Sequence, residues 1–437
     1  MKLVTCLTLC IVLFCWQNVL LAQTWTWEEK AAMPVPVSNN AVAAATVGGV
    51  PYVFSFAGID TTKVHSGIHL NSFRYNTQSD SWETISPLPD SLGKIAAGAS
   101  TVKNKIYIIG GYHVFSGGSE LSSDKVHIYN PETNSYEPDG APIPIAIDDQ
   151  VQAVWRDSLI YVVTGWSDVT NVNAVQIYDP ANDQWLEGTS TPNNTLYRVF
   201  GGSGEIIGDT IYYMGGARST FNFPLGMYFR KGIINPNDPT EITWTEALEP
   251  LSLGYRMGTS TYGEKVFWFG GSLESYNYNG LAYTNGQGVD ATERIVTYDA
   301  ALQTLAEEDM VIPPVMDLRG VGKIASNQYI IAGGMGENQK VSARTYLVTY
   351  NDVNAVDEME NKSYEFVVSP EKIALHLFNQ PPQGTVQLFS LDGKVLGHDR
   401  INGKAVSMNV AAFPPGIYFL EIAFEDGSRV VEKWVRP

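Results

Sequence analysis

Cysteine is nearly absent from this 437-residue chain, with three residues in all, Cys6, Cys10 and Cys15, every one inside the first fifteen positions. Beyond them there can be no disulfide framework and no thiol nucleophile. Apolar runs of the roughly 18 residues that a membrane helix needs are also missing after the N-terminal segment, so no membrane span is expected there. Cations are few: 28 Lys and Arg stand against 46 Asp and Glu, a net charge of −18. Nucleic acid does not suit such a chain, because neutralising phosphates needs clustered cations. At 17% charged and 44% apolar residues, the composition suits neither a coiled coil nor a disordered polyanion. Neither an Asp-x-Asp-x-Asp calcium loop nor a Gly-x-Ser-x-Gly elbow occurs. His65 and His69 lie four apart, but along a strand that spacing spans roughly 13 Å, too far to share a metal. Gly202-x-Gly204 with Gly208 mimics a dinucleotide loop, yet no helix follows it. No cofactor is expected.

What is present begins with a leader. Met1–Ala22 carries one early charge, Lys2, an apolar run from Leu3 to Trp16 and a small residue at Ala22, which reads as a secretory signal peptide (residues 1–22). The mature chain would start at Gln23 and hold no cysteine.

An apolar strand ending in a small-residue turn then recurs six times. The copies are Tyr52-Val-Phe-Ser-Phe-Ala-Gly58, Ile106-Tyr-Ile-Ile-Gly-Gly111, Ile160-Tyr-Val-Val-Thr-Gly165, Ile211-Tyr-Tyr-Met-Gly-Gly216, Val266-Phe-Trp-Phe-Gly-Gly271 and Tyr329-Ile-Ile-Ala-Gly-Gly334. The final glycines, at 58, 111, 165, 216, 271 and 334, stand 53, 54, 51, 55 and 63 apart. That period suits one four-stranded propeller blade. A second signature follows within the repeats: Tyr75 and Trp82, Tyr129 and Tyr136, Tyr178 and Trp185, and Tyr298 and Leu305 are each seven apart, with turn formers between them. The fourth copy departs, leading through Ile234-Asn235-Pro236 to Trp244.

These residues resemble the Kelch repeat, a Gly-Gly doublet after an apolar strand, then a Tyr, then a Trp. The resemblance implies an all-β chain built around a six-bladed Kelch-type propeller over residues 23–353. Trp27-Glu28 followed by Met33-Pro34 repeats the spacing of Trp82-Glu83 and Leu88-Pro89, so the N-terminal strand is expected to complete the sixth blade and abolish the open edge. An acidic linker (354–363) leads to a small C-terminal β-sandwich (364–437) with Asp392-Gly393 and Asp426-Gly427 turns. Val386-Gln-Leu-Phe-Ser-Leu-Asp-Gly-Lys-Val395, Pro415-Gly-Ile-Tyr-Phe419 and the basic ending Lys433-Trp-Val-Arg-Pro437 resemble the C-terminal sorting domain of type IX secretion cargo. Ser369-Pro370-Glu371-Lys372 departs from that family's Pro-Asn-Pro turn. This resemblance implies a secreted or surface protein of a Gram-negative bacterium, with the type IX machinery as partner.

In a propeller the residues entering each innermost strand ring one mouth of the central channel. Lys94, Arg198, Arg256 and Arg319 fall at such entries, accompanied by Asp149, Tyr197 and Tyr255. Converging guanidinium groups suit a carboxylate, and the neighbouring loops carry Tyr112, His113, Phe115, Trp166, Phe221, Phe223, Tyr276, Tyr278 and Tyr283. The expected ligand is an acidic glycan, with tying of neighbouring blades as the competing role of the arginines. A binding or interaction module, for a glycan or another protein, is therefore the first functional expectation. The alternative is an isomerase: six-bladed Kelch-like propellers resemble a bacterial family that interconverts anomers of sialic acid, which implies Asp148 or Asp149 as acid or base. Copper chemistry of the galactose-oxidase kind needs a crosslinking cysteine that the mature chain lacks.

Overall fold

Six antiparallel four-stranded sheets follow one another along the chain in a computed structural model that describes residues 24–308, 311–352, 364–368, 372–377, 384–391, 393–401, 405–424 and 429–436. The leader and the linker expected from the sequence lie outside these residues. Within each sheet the strands are named a to d from the channel outward. Blade one is Ala41–Val47, Val50–Ile59, Ile68–Asn76 and Ser81–Ile85. Blade two is Ile95–Val102, Lys105–Val114, Val126–Asn130 and Ser135–Tyr136, with Glu120–Ser122 added to the long second strand. Blade three is Val151–Trp155, Leu159–Val163, Val175–Asp179 and Gln184–Gly188. Blade four is Phe200–Ile207, Thr210–Ala217, Tyr228–Asn235 and Asp238–Leu248, and blade five Gly258–Tyr262, Lys265–Phe269, Ile295–Asp299 and Thr304–Glu308.

Blade six closes the ring as the sequence leads one to expect. Gly322–Ala325, Gln328–Ala332 and Thr345–Tyr350 supply strands a to c, and the N-terminal Trp25–Lys30 supplies strand d, in register from Trp25 opposite Tyr350 to Lys30 opposite Thr345. Trp27 sits opposite Val348, the place Trp82 holds opposite Tyr75 in blade one. Trp25, which the repeat pattern passes over, is the deeper anchor: it is 1% exposed and meets Phe267 and Phe269 of blade five edge to face.

The repeat residues have separate physical reasons. Both glycines of the doublet take positive φ, +68° and +85° at Gly110 and Gly111, and a Cβ at Gly110 would stand 2.3 Å from the Ile147 carbonyl oxygen. The tryptophans reach to the preceding connection, Trp82 Nε1 donating to Ala31 O at 3.0 Å and Trp185 Nε1 to Ala141 O at 2.8 Å. Blades one, three and four are thereby tied to the preceding blade by an indole, Trp244 Nε1 donating to Thr189 O at 2.9 Å in the fourth.

The propeller, Trp25–Tyr350, is one compact unit. The C-terminal part forms a separate two-sheet sandwich: Tyr364–Val368, Lys372–Leu377 and Ala405–Asn409 against Val395–Ile401, Gly384–Ser390, Gly416–Phe424 and Arg429–Arg436. Ile373, Leu375, Val386, Leu388, Leu420 and Ile422 fill the space between the two sheets. Among the described residues no helix is long and apolar enough to cross a membrane.

Candidate functional site

At the entry to strand a, each blade contributes one residue in the left-handed region: Asn39 (φ +54°), Ala96 (+56°), Asp149 (+48°), Gly201 (+66°), Arg256 (+49°) and Asp317 (+65°). Five of the six carry a side chain there, which costs on the order of 1 kcal/mol apiece and persists only where the surroundings impose it. A circle of hydrogen bonds imposes it. Going round the mouth, Asn39 N donates to Asp317 O, Leu318 N to Arg256 O, Arg256 N to Gly201 O, Gly201 N to Asp149 O and Asp149 N to Ala96 O. Ala96 N closes the circle on Asn39 Oδ1 at 2.8 Å.

Inside this circle the charged side chains face one another across the channel. Arg256 of blade five holds Asp149 of blade three with two bonds, Nε to Oδ1 at 3.0 Å and Nη2 to Oδ2 at 2.6 Å, and donates from Nη1 to Asp317 Oδ1 at 2.9 Å. Its guanidinium also lies 5.1 Å from the Tyr255 ring centre and 5.4 Å from that of Tyr276. Asp317 further accepts from Ser38 Oγ at 2.7 Å and Asn39 Nδ2 at 3.1 Å. Arg319 of blade six reaches the opposite blade, with Nη2 donating to Gln150 O at 2.9 Å and Nη1 lying 3.5 Å from Asp149. Burial pushes the Asp317 carboxyl up against the pull of Arg256, and burial lowers Arg319 against the pull of Asp149.

The sequence-predicted residues thus separate. Asp149, Arg256, Arg319 and Tyr255 meet at the mouth. Lys94 does not: it is fully buried, paired to Asp90 at 2.7 Å and donating to Ser123 Oγ at 3.0 Å, with His127 Nε2 3.2 Å away. Burial lowers its ammonium group, opposed by Asp90. Tyr197 turns its hydroxyl to Glu246, and Arg198 lies beside Asn171 of the blade-three hairpin. The equivalence of the four cations also dissolves. Relative to the left-handed residue of its blade, Lys94 stands two places before, Arg198 three before, Arg256 on it and Arg319 two after. The mouth carries two arginines rather than four cations, and both are neutralised from within by Asp149 and Asp317, an acid that the sequence reading passed over.

Above the ion pairs a cavity of about 150 Å³ opens among the b-to-c loops. Tyr112 and Glu120 come from blade two, Trp166 with Asp148 and Asp149 from blade three, Phe200 and Phe223 from blade four, and Arg256, Asn277 and Tyr283 from blade five. The long blade-five loop crosses toward blade two and is anchored by Ser275 Oγ donating to Phe223 O at 2.6 Å. Trp166, Phe200 and Phe223 are locked edge to face and Tyr283 packs tilted on Phe223, with ring centres 4.8 to 5.6 Å apart between successive neighbours. Asp148 is 4% exposed and its carboxyl accepts from Ser122 Oγ at 2.6 Å; burial, then Asp149, pushes it well above the usual range. Glu120, at the rim, is raised by desolvation as well.

The opposite mouth holds a second opening of about 250 Å³, lined by small and hydroxylated residues together with Gln152, Glu205 and Lys323. Burial pushes Glu205 up to about 7, while Thr259 Oγ1 donates to it at 3.2 Å. Among the described residues no group of three His, Cys, Asp or Glu side chains is placed to hold a metal ion.

Ring closure, glycine doublets and a mouth edged by b-to-c loops define a Kelch-type β-propeller fold. Comparison with known proteins agrees. The Kelch motif matches residues 96–138. Kelch-like protein 35 of Mus musculus is 28% identical over 120 residues, 28% of this chain and 19% of that protein. Kelch repeat and BTB domain-containing protein 13 of Homo sapiens is 28% identical over 162 residues, 36% of this chain and 33% of that protein. Kelch-like protein 24 of Rattus norvegicus reaches 38% over 96 residues, 22% of this chain and 14% of that protein. The chain thus spans a third or less of the length of these relatives. The solved structure of YjhT superposes with a TM-score of 0.58 at 15% identity, covering 74% of this chain and 98% of that one, a likeness of fold.

Proposed function

We propose that the protein is an exported binding module whose ligand enters the cavity among the b-to-c loops of the propeller. The observation that carries this reading is the cavity itself, where four blades bring rigid aromatic faces and a few polar groups to one concave spot. The preference for acidic glycans expected from the sequence rested on free arginines. Arg256 and Arg319 are engaged by internal acids, so the proposal keeps the place and drops that charge preference. An array of glycans and peptides probed with the purified chain tests it: hits should vanish with a Phe223→Ala, Tyr283→Ala double variant that still folds. Hits that survive in that variant would put the binding surface elsewhere.

Export is part of the same proposal, supported by the leader-like Met1–Ala22 and by a C-terminal sandwich whose sequence resembles type IX sorting domains. Ending the chain at Asp352 should leave the propeller in the periplasm of a type IX-competent Gram-negative host; undiminished export would overturn that route.

One observation favours a second reading, sugar isomerisation. Asp148 is a carboxyl held toward its protonated form beside Glu120, and an acid and a base at one cavity are what anomer exchange requires. Exchange NMR on N-acetylneuraminate decides it, since a mere binder leaves the rate at that of buffer.

A further inference from the structure

The charge inventory of the loop-side cavity points to its ligand class. Three acids line it, Glu120, Asp148 and Asp149, against one cation, Arg256. Arg256 directs three N–H groups at Asp149 and Asp317, and Arg319 is engaged with Gln150 O and Asp149. Nothing comparable serves the other two acids: among the described residues neither Glu120 nor Asp148 has a cation within 4.0 Å. Asp148 is 4% exposed, and among those residues the side-chain donor to its carboxyl is Ser122 Oγ, on Oδ2. A buried carboxyl left without a counter-charge carries a large desolvation penalty. Its upward displacement, and that of Glu120, are the expected consequences.

The rest of the lining favours the same charge. Trp166, Phe200, Phe223 and Tyr283 present aromatic rings, whose faces attract cations and repel anions. At about 150 Å³ the space falls below the roughly 300–1,000 Å³ of sites for drug-sized ligands and is comparable to about five liquid waters. It therefore suits a head group or a single side chain.

Resting on the binding-module reading above, we infer that the cavity takes an organic cation, an ammonium or guanidinium group, which the Glu120 and Asp148 carboxylates pair and the Trp166, Phe223 and Tyr283 rings enclose. Such a group can arrive as a free small cation or as a basic side chain on a partner protein.

Titration calorimetry on the full chain tests this with four probes: tetramethylammonium chloride, N-acetyl-arginine methylamide, N-acetylneuraminate and glucose. The two cations should bind, and Glu120→Gln and Asp148→Asn should each weaken them about tenfold. Glu120 lies at the rim, so its variant reports even where Asp148→Asn disturbs folding. Tighter binding of the arginine derivative indicates a basic side chain, and tighter binding of tetramethylammonium a small onium compound. Cation binding unchanged in both variants would overturn the inference. Neuraminate or glucose binding that Phe223→Ala removes, with no cation binding, would overturn it and leave the binding site standing. Silence of all four probes would also overturn it, and the array experiment with the Phe223→Ala, Tyr283→Ala variant then judges the broader reading by itself.

Discussion

Arg256 and Asp149, 107 residues apart, are joined by two hydrogen bonds of 3.0 and 2.6 Å across the mouth of the channel, each side chain 2% exposed or less. Because the pair spans from blade five to blade three, it acts as a brace inside the ring, and Asp317 extends it to blade six.

Breaking that brace should be costly. Arg256→Gln leaves Asp317 buried without a cation and Asp149 with Arg319 alone, at 3.5 Å, a loss of about 3–5 kcal/mol in urea unfolding. Arg198→Gln, half-buried with one contact of 3.5 Å, should stay within about 0.5 kcal/mol. Equal losses in the two variants would show that the mouth contributes nothing special to stability.

Asn39 closes the hydrogen-bond circle with both ends of its amide, accepting from Ala96 N and donating to Asp317. Asn39→Ala removes both bonds, orphans a buried N–H and places alanine at φ +54°, so a drop of roughly 2–4 kcal/mol is expected. Amide exchange at Ala96 should accelerate in step; protection retained there would mean that the circle has another closure.

At the opposite mouth Glu205 sets a pH dependence. Burial pushes its carboxyl up to about 7 from the ordinary 4.5, so the folded state binds the proton more tightly. Its contribution therefore favours folding at low pH and is lost as pH rises from about 4.5 to 7. Glu205→Gln, neutral throughout, should match the wild type at pH 4 and exceed it at pH 8 by on the order of 1–3 kcal/mol. Parallel melting curves at both pH values would refute the assignment.

Ring closure depends on the N-terminal strand. Deleting Trp25–Lys30 uncovers Thr345–Tyr350 as an open edge and empties the place of a fully buried tryptophan. Sizing chromatography should show dimers or larger species, since an exposed strand edge templates pairing between chains. A monodisperse monomer would argue against the closure.

Much of this architecture was legible in advance. Six small-residue turns ending in glycine at near-constant spacing specify six blades; four carry a Gly-Gly pair suited to a crowded left-handed turn, and Ala57 and Thr164 take the first place in blades one and three. The match of Trp27 to Trp82 foretold the closing strand, because the blade core needs an outer strand at that place. The mouth was legible only in part. Counting back fifteen residues from the second glycine finds Ala96, Gly201 and Arg256 but lands on Ala43, Gln150 and Arg319, past Asn39, Asp149 and Asp317. Blade six carries a bulge between Lys323 and Ala325, so a fixed offset loses register there.

Periodicity is a local property, and the sequence by itself determined the blade count, the strand order and the aromatic loops. Which charge meets which across the channel is not local. Whether Arg256 is free for a ligand or bound to Asp149 depends on side chains brought together from blades two apart in the ring, at distances where a fraction of an ångström separates an ion pair from an open site. Only the tertiary structure decided that the arginines of the mouth are engaged by Asp149 and Asp317, and that among the described residues Glu120 and Asp148 have no cation within 4.0 Å.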